Sequence, residues 1–245
     1  MGWTRAELKM RGKAAMSRSY WKMVLSAFLL TLATGSAAGV SGSRMGSNLT
    51  LSSLSDGDFD YYYPGGYDMM TLLMSIGALV SLILVVGGLA LRIFLFNVLE
   101  VGAQRVFIIN RVQDPALGEL GFPFNNSYLN VVKTQFLRGL FASLWTMLLI
   151  VPGIVKSYEY RMIPYILAEN PGIDTQEAFR LSKTMMDGEK MNAFVLDLSF
   201  IGWHLLSLFT CGFLDIFYTN PYQAGANAEL YDTLKGKIFG GTPSF

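Results

Sequence analysis

MMTLLMSIGALVSLILVVGGLAL, residues 69–91, decides the fold. Its twenty-three residues carry no charge. A helix rises about 1.5 Å per residue, and a bilayer core takes roughly 20 apolar residues to cross. A buried helix of a soluble domain rarely reaches that length without a polar face, so the stretch predicts a transmembrane helix. Eighteen uncharged residues, Met23 to Val40, predict a second. The whole 245-residue chain agrees: 52% is hydrophobic and only 15% charged, against about 25% charged in soluble domains. Mean hydropathy is +0.38. This balance excludes disorder, which needs few apolar residues and many charges. A net charge of +1 gives no basic field for nucleic acid. One cysteine, Cys211, and one histidine, His204, exclude cysteine-based zinc clusters and His-pair motifs.

Two further apolar regions are broken. Gly139 to Val155 contains Pro152-Gly153, where proline removes a backbone donor, and Met162 to Ala168 follows it. Met191 to Leu214 carries Asp197, His204 and then Thr210-Cys211-Gly212, before a weaker stretch to Tyr231. Four spans are the simplest count. Six segments result if Pro152-Gly153 and Cys211-Gly212 are hairpin tips. Lys and Arg mark cytoplasmic connectors. Residues 1–22 hold six of them, 92–138 hold five and 156–190 hold five, whereas 41–68 hold Arg44 alone. Only six segments place 156–190 inside. The sequence therefore favours an all-α polytopic transmembrane bundle, one integral-membrane domain over 1–245. Six segments are favoured, four spans with interfacial helices are the runner-up, and both termini are cytoplasmic. The first apolar stretch reads as an uncleaved anchor, because 22 residues precede it.

Outside the lipid, Thr4 and Glu7 form a capping-box pattern that opens a basic helix within 1–22, expected on the membrane surface. Residues 41–68 form an extracytoplasmic loop rich in Gly, Ser and Tyr. Its Asp56, Asp58 and Asp60 lack the Gly and Glu of a calcium loop. Residues 174–187 predict a cytoplasmic amphipathic helix, capped by Asp174, with Ala178, Leu181 and Met185 on its apolar stripe. That stripe either packs on the bundle or docks a partner.

Ionisable side chains at bilayer depth raise a functional hypothesis. Asp197, His204 and Asp215 share one stripe if a single helix runs through Gly212. They could relay protons, since histidine titrates near pH 6.5, or act as structural glue, with Asp197 bonded to Arg138 or a Ser/Thr hydroxyl and His204 a polar contact in the bundle. Glu159 and Arg161 read as a local ion pair or interfacial anchor. No nucleophile elbow, phosphate loop, dinucleotide fingerprint or zinc-protease motif is present. No catalytic, cofactor or metal residues are assigned.

Several motifs together carry a family resemblance. They are Arg5-Ala6-Glu7-Leu8-Lys9 with Tyr20-Trp21-Lys22, Val151-Pro152-Gly153-Ile154-Val155-Lys156, and Pro164 through Pro171. Glu177-Ala178 with Ser182, Met186-Asp187-Gly188, Leu198 through Trp203, and Pro221-Tyr222 with Ala228-Glu229 complete the set. Over most of its length the chain resembles the bacterial integral-membrane family catalogued as domain of unknown function 975. The Tyr-rich outer loop departs from it. The resemblance implies a multi-pass protein of a bacterial plasma membrane and supplies no activity. The Pro-Gly hairpin is also similar to the membrane portion of some glycerophosphodiester phosphodiesterases, without their catalytic barrel.

The expectation is a non-enzymatic accessory, scaffold or assembly partner. Its surroundings are the lipid bilayer and other membrane proteins or copies of itself, with no nucleic acid. The alternative is a small transporter or permease subunit using Asp197 and His204 in a broken-helix path. Third is a lipid-acting membrane enzyme with His204 as base.

Overall fold

The computed structural model describes residues 3–34 and 69–240. The 41–68 loop, with its Asp and Tyr clusters, lies outside the described residues. Every regular element among those described is helical.

Helix α1 (Arg5–Arg18) starts where Thr4 Oγ1 accepts the Glu7 amide. The Glu7 carboxylate pairs forward with Arg11 rather than back across the cap. The helix buries Leu8, Gly12, Ala15 and Met16, one face at three- and four-residue spacing. That face packs along the last helix, so the basic segment is part of the bundle and not a free surface helix. Close approach explains Gly12: a Cβ there would stand 2.7 Å from the Ala226 backbone nitrogen.

Ser19, off helical geometry, ends α1, and α2 (Tyr20–Thr34) follows. Lys22 Nζ reaches Asp114 Oδ2 at 2.5 Å. Helix α2 lies against α4, not against the long apolar helix next in sequence. The rest of the stretch predicted to end at Val40 falls outside the described residues.

Helix α3 (Met69–Leu91), a π-turn over Arg92–Phe96 and α4 (Asn97–Asn110) form one continuous helical rod of 42 residues. The two halves differ completely. No residue of α3 is buried, whereas eleven of the fourteen in α4 are. Helix α4 is the core of the bundle, touched by α2, α6, α8 and α12. At Gly102 a Cβ would stand 2.1 Å from the Leu120 carbonyl oxygen, so the 3-10 turn Leu117–Gly121 can lie on it only with glycine there.

After α5 (Phe122–Asn125), α6 (Tyr128–Leu148) and α7 (Ile150–Glu159) make the middle hairpin. Its reversal falls at Leu149, in extended conformation, and not at Pro152-Gly153. Proline is tolerated in a first turn, where its missing amide would be unpaired anyway, so Pro152 starts α7 without breaking it. Gly153 lets the arms touch: a Cβ would be 2.5 Å from Thr146 Cα. Helices α8 (Ile163–Glu169) and α9 (Thr175–Met185) lead to α10 (Lys190–Leu198) and α11 (Ile201–Phe209). Thr210-Cys211-Gly212 then turns the chain, with φ of 51° at Cys211 and 85° at Gly212. A second π-turn, Asp215–Thr219, opens α12 (Asn220–Phe239).

Two helical stretches, Met69–Asn110 and Lys190–Phe209, are long and apolar enough to cross a membrane. Exposed apolar side chains gather on α3, on the α6–α7 hairpin and on α10–α11. Ion pairs gather elsewhere. Arg111 holds Glu229 and Asp232, and Arg105 holds Glu119 and the Ala168 carbonyl.

Candidate functional site: a polar line beside the last helix

Asp197, His204 and Asp215 do meet in one network, but not on one helix. Ser199 and Phe200 interrupt the helix after Asp197, and the 210–212 turn ends the segment bearing His204. The turn brings the chain back alongside α11. Ser207 Oγ accepts the Asp215 amide at 3.1 Å, which holds the returning strand of chain. His204 Nδ1 then lies 2.9 Å from Asp215 Oδ1.

Gln223, from the first turn of α12, completes the line. Its Oε1 lies 3.2 Å from His204 Nε2, and its Nε2 donates to Asp197 Oδ1 at 3.4 Å. Both partners of the imidazole are side-chain oxygens, so both ring nitrogens are engaged.

Asp197 ends the line in a clamp. Arg161 donates to both carboxylate oxygens, at 2.6 and 2.8 Å. Tyr158 Oη donates to Oδ2 at 2.8 Å, and Arg161 also reaches Asn227 Oδ1 at 2.9 Å. Paired, bidentate geometry is what lets a carboxylate and a guanidinium sit largely out of water. The expected partner Arg138 is elsewhere, on Glu100 at 2.8 Å. The expected Glu159–Arg161 pair does not form either. Glu159 is buried and meets Lys156 at 2.7 Å, with Lys183 and Lys190 farther out.

Gln223 and Asn227 were missed from sequence. Their signal was available: Asn220, Gln223 and Asn227 recur at three and four along a helix otherwise rich in Ala and Gly. They wall a cavity of about 160 Å³, shared with Thr31, Gln104 and Tyr165. Gln104 is buried, and its carbonyl oxygen has no partner.

The amphipathic helix α9 starts where Asp174 accepts the amides of Gln176 and Glu177. Its apolar stripe is already used. Ala178 and Met185 are buried in the core, and Leu181 packs against it half-buried. Ser182, on the same side, accepts the Met162 amide and donates to the Glu159 carbonyl. Outward, α9 offers Gln176, Arg180 and Lys183, and the turn after it adds Asp187. Arg180 holds the Glu177 carboxyl below the usual range. This face is charged and carries no apolar anchor. Among the described residues no cluster of three or more His, Cys, Asp or Glu side chains could hold a metal ion.

No curated protein matches the chain, and neither does any solved structure. The family described as "Protein of unknown function (DUF975)" matches residues 69–237, more than half of the chain and all of the polar line. The chain belongs to that family.

Proposed function

We propose that this chain is a non-enzymatic, multi-pass protein of a bacterial plasma membrane that acts as an assembly partner through α3. Six apolar segments enter the lipid, and the basic connector 156–190 and both termini face the cytoplasm. The basic connectors support that arrangement, as do the reversals at Leu149 and Cys211-Gly212.

The observation that carries the assembly reading is the complete exposure of α3. Every other helix of ten residues or more buries side chains within the chain. Gly77, Ser81 and Gly88 share one stripe of α3, and open space surrounds both glycines. Small residues let helix backbones approach closely in lipid, where packing and not hydrophobicity drives association. A second copy presenting the same stripe is the simplest partner, because a two-fold interface is self-complementary. The outward face of α9 lacks such a surface. His204 has both ring nitrogens occupied, which argues for a structural role over that of a catalytic base.

Cysteine scanning along α3 in a Cys211→Ser background tests this in native membranes. Oxidative dimer bands at Gly77→Cys, Ser81→Cys and Gly88→Cys, with little at Leu79→Cys or Val86→Cys, are expected. Uniform or absent crosslinking along the helix would remove the reading.

A second reading, a small-solute transporter, is favoured by the unpartnered Gln104 oxygen beside the polar cavity. The double variant Asp197→Asn with His204→Ala would abolish uptake under that reading and leave α3 crosslinking intact under the first.

A further inference from the structure

A second cavity, of about 460 Å³, opens between the end of α2, the π-turn after α3, and α6. Its chemistry is split. Leu89, Phe136 and Leu140 give it apolar walls, while Arg92, Gln135 and Arg138 give it donors.

Three observations converge on an anion. Arg92 is exposed, lines the cavity and makes no ion pair among the described residues. Arg138 is held by Glu100 at 2.8 Å and donates to Gln135 Oε1 at 3.2 Å. Gln135 is only 4% exposed, and its Nε2 is buried with no hydrogen-bond partner. A buried amide donor left unpaired is costly, so it marks a place where an acceptor belongs. Glu100 cancels one of the two arginines, so the site carries one net positive charge.

Position identifies the anion further. Arg92 directly follows the uncharged run Met69–Leu91, so with α3 in lipid a basic side chain stands where the apolar span ends and headgroups begin. The π-turn belongs here too, since such insertions place side chains that a regular helix would aim elsewhere. Basic pockets between membrane helices suit anionic headgroups, and the apolar walls suit the start of an acyl chain.

We propose that this cavity binds the phosphodiester headgroup of an anionic phospholipid, with Arg92 and Gln135 Nε2 donating to its oxygens and Arg138 adding charge. One negative charge on the phosphodiester matches the one net positive charge of the site. The proposal shares with the assembly reading only the placement of α3 in lipid. It stands or falls without any α3 partner.

Native mass spectrometry of the full chain, released from nanodiscs of phosphatidylcholine doped with phosphatidylglycerol, tests it. The wild type should retain one phosphatidylglycerol in preference to phosphatidylcholine. Arg92→Gln should weaken that retention about tenfold, the scale of one charge-assisted hydrogen bond. Arg92→Lys should fall between, because it keeps the charge and loses the fork. Gln135→Met should also lower retention. Arg92 is exposed, so its variants should stay folded, and the lipid preference of the wild type needs no variant at all. Equal retention of the two lipids, or unchanged retention in Arg92→Gln, would overturn the proposal. Inorganic phosphate that displaces the lipid while abolishing headgroup preference would assign the site to free phosphate and overturn it as well.

Discussion

Arg161 grips Asp197 with two guanidinium nitrogens across thirty-six residues of sequence, joining the end of the middle hairpin to the following apolar helix. The pair is largely withdrawn from water, with side-chain exposures of 16% and 26%. Removing one partner strands the other. Asp197→Leu should therefore destabilise the protein by roughly 3 kcal/mol, and Arg161→Met should cost a similar amount. The double replacement should cost clearly less than the two singles combined. Thermal unfolding of the four proteins in one detergent measures the coupling. Additive losses would mean that the clamp contributes nothing as a pair.

Gly12 and Gly225 bring α1 onto α12 at backbone distance, since a Cβ at Gly225 would stand 3.2 Å from the Gly12 carbonyl oxygen. Gly12→Val should force the helices apart and cost about 1–3 kcal/mol, as overpacking does. Gly77→Val, in open space on α3, should leave monomer stability nearly unchanged. Melting temperatures of the two variants, compared side by side, check the contrast.

The middle hairpin depends on Gly153 in the same way. Gly153→Leu should separate α6 from α7 near Thr146, giving faster amide exchange in both arms. Pro152→Ala should do much less, because the turn itself is at Leu149. Equal effects from the two variants would show that proline, not close packing, sets the hairpin.

Acid should loosen the elbow between α1 and α2. Lys22, and then Ser19, hold the Asp114 carboxyl below the ordinary carboxylate range. A depressed folded value contributes stability above the unfolded value, near pH 3.9, and loses it as pH falls through the folded value. Hydrogen exchange around Ser19, taken relative to the intrinsic rate at each pH, should be unchanged from pH 8 to about pH 5 and should rise below about pH 4. Asp114→Asn should remove that acid response. A rise that persists in the variant would place the sensitive group elsewhere.

The helical class was legible because apolar run length answers directly to bilayer thickness, and Met69–Leu91 is a helix from end to end. Local capping was legible for a similar reason. Thr4 and Asp174 act within three residues of themselves. Partner choice was not. Asp197 had several arginines within reach of a plausible fold, and helical spacing alone pointed it to His204 along a continuous helix. That helix breaks at Ser199–Phe200 and again at Cys211, and Gln223 spans the gap. The stripe Ala178–Leu181–Met185 is apolar in its spacing, yet periodicity is blind to whether such a face meets its own chain or another.

By itself, then, the sequence determined an all-helical protein with apolar runs long enough to cross a bilayer, two of its helix starts and the polar residues set within those runs, since each follows from a property of neighbouring positions. The tertiary structure alone decided that α2 pairs with α4 and leaves α3 bare, that Arg161 and not Arg138 holds Asp197, and that α9 turns its apolar side inward. Those outcomes rest on contacts between residues far apart in the chain, and their geometry exists only once the helices have packed.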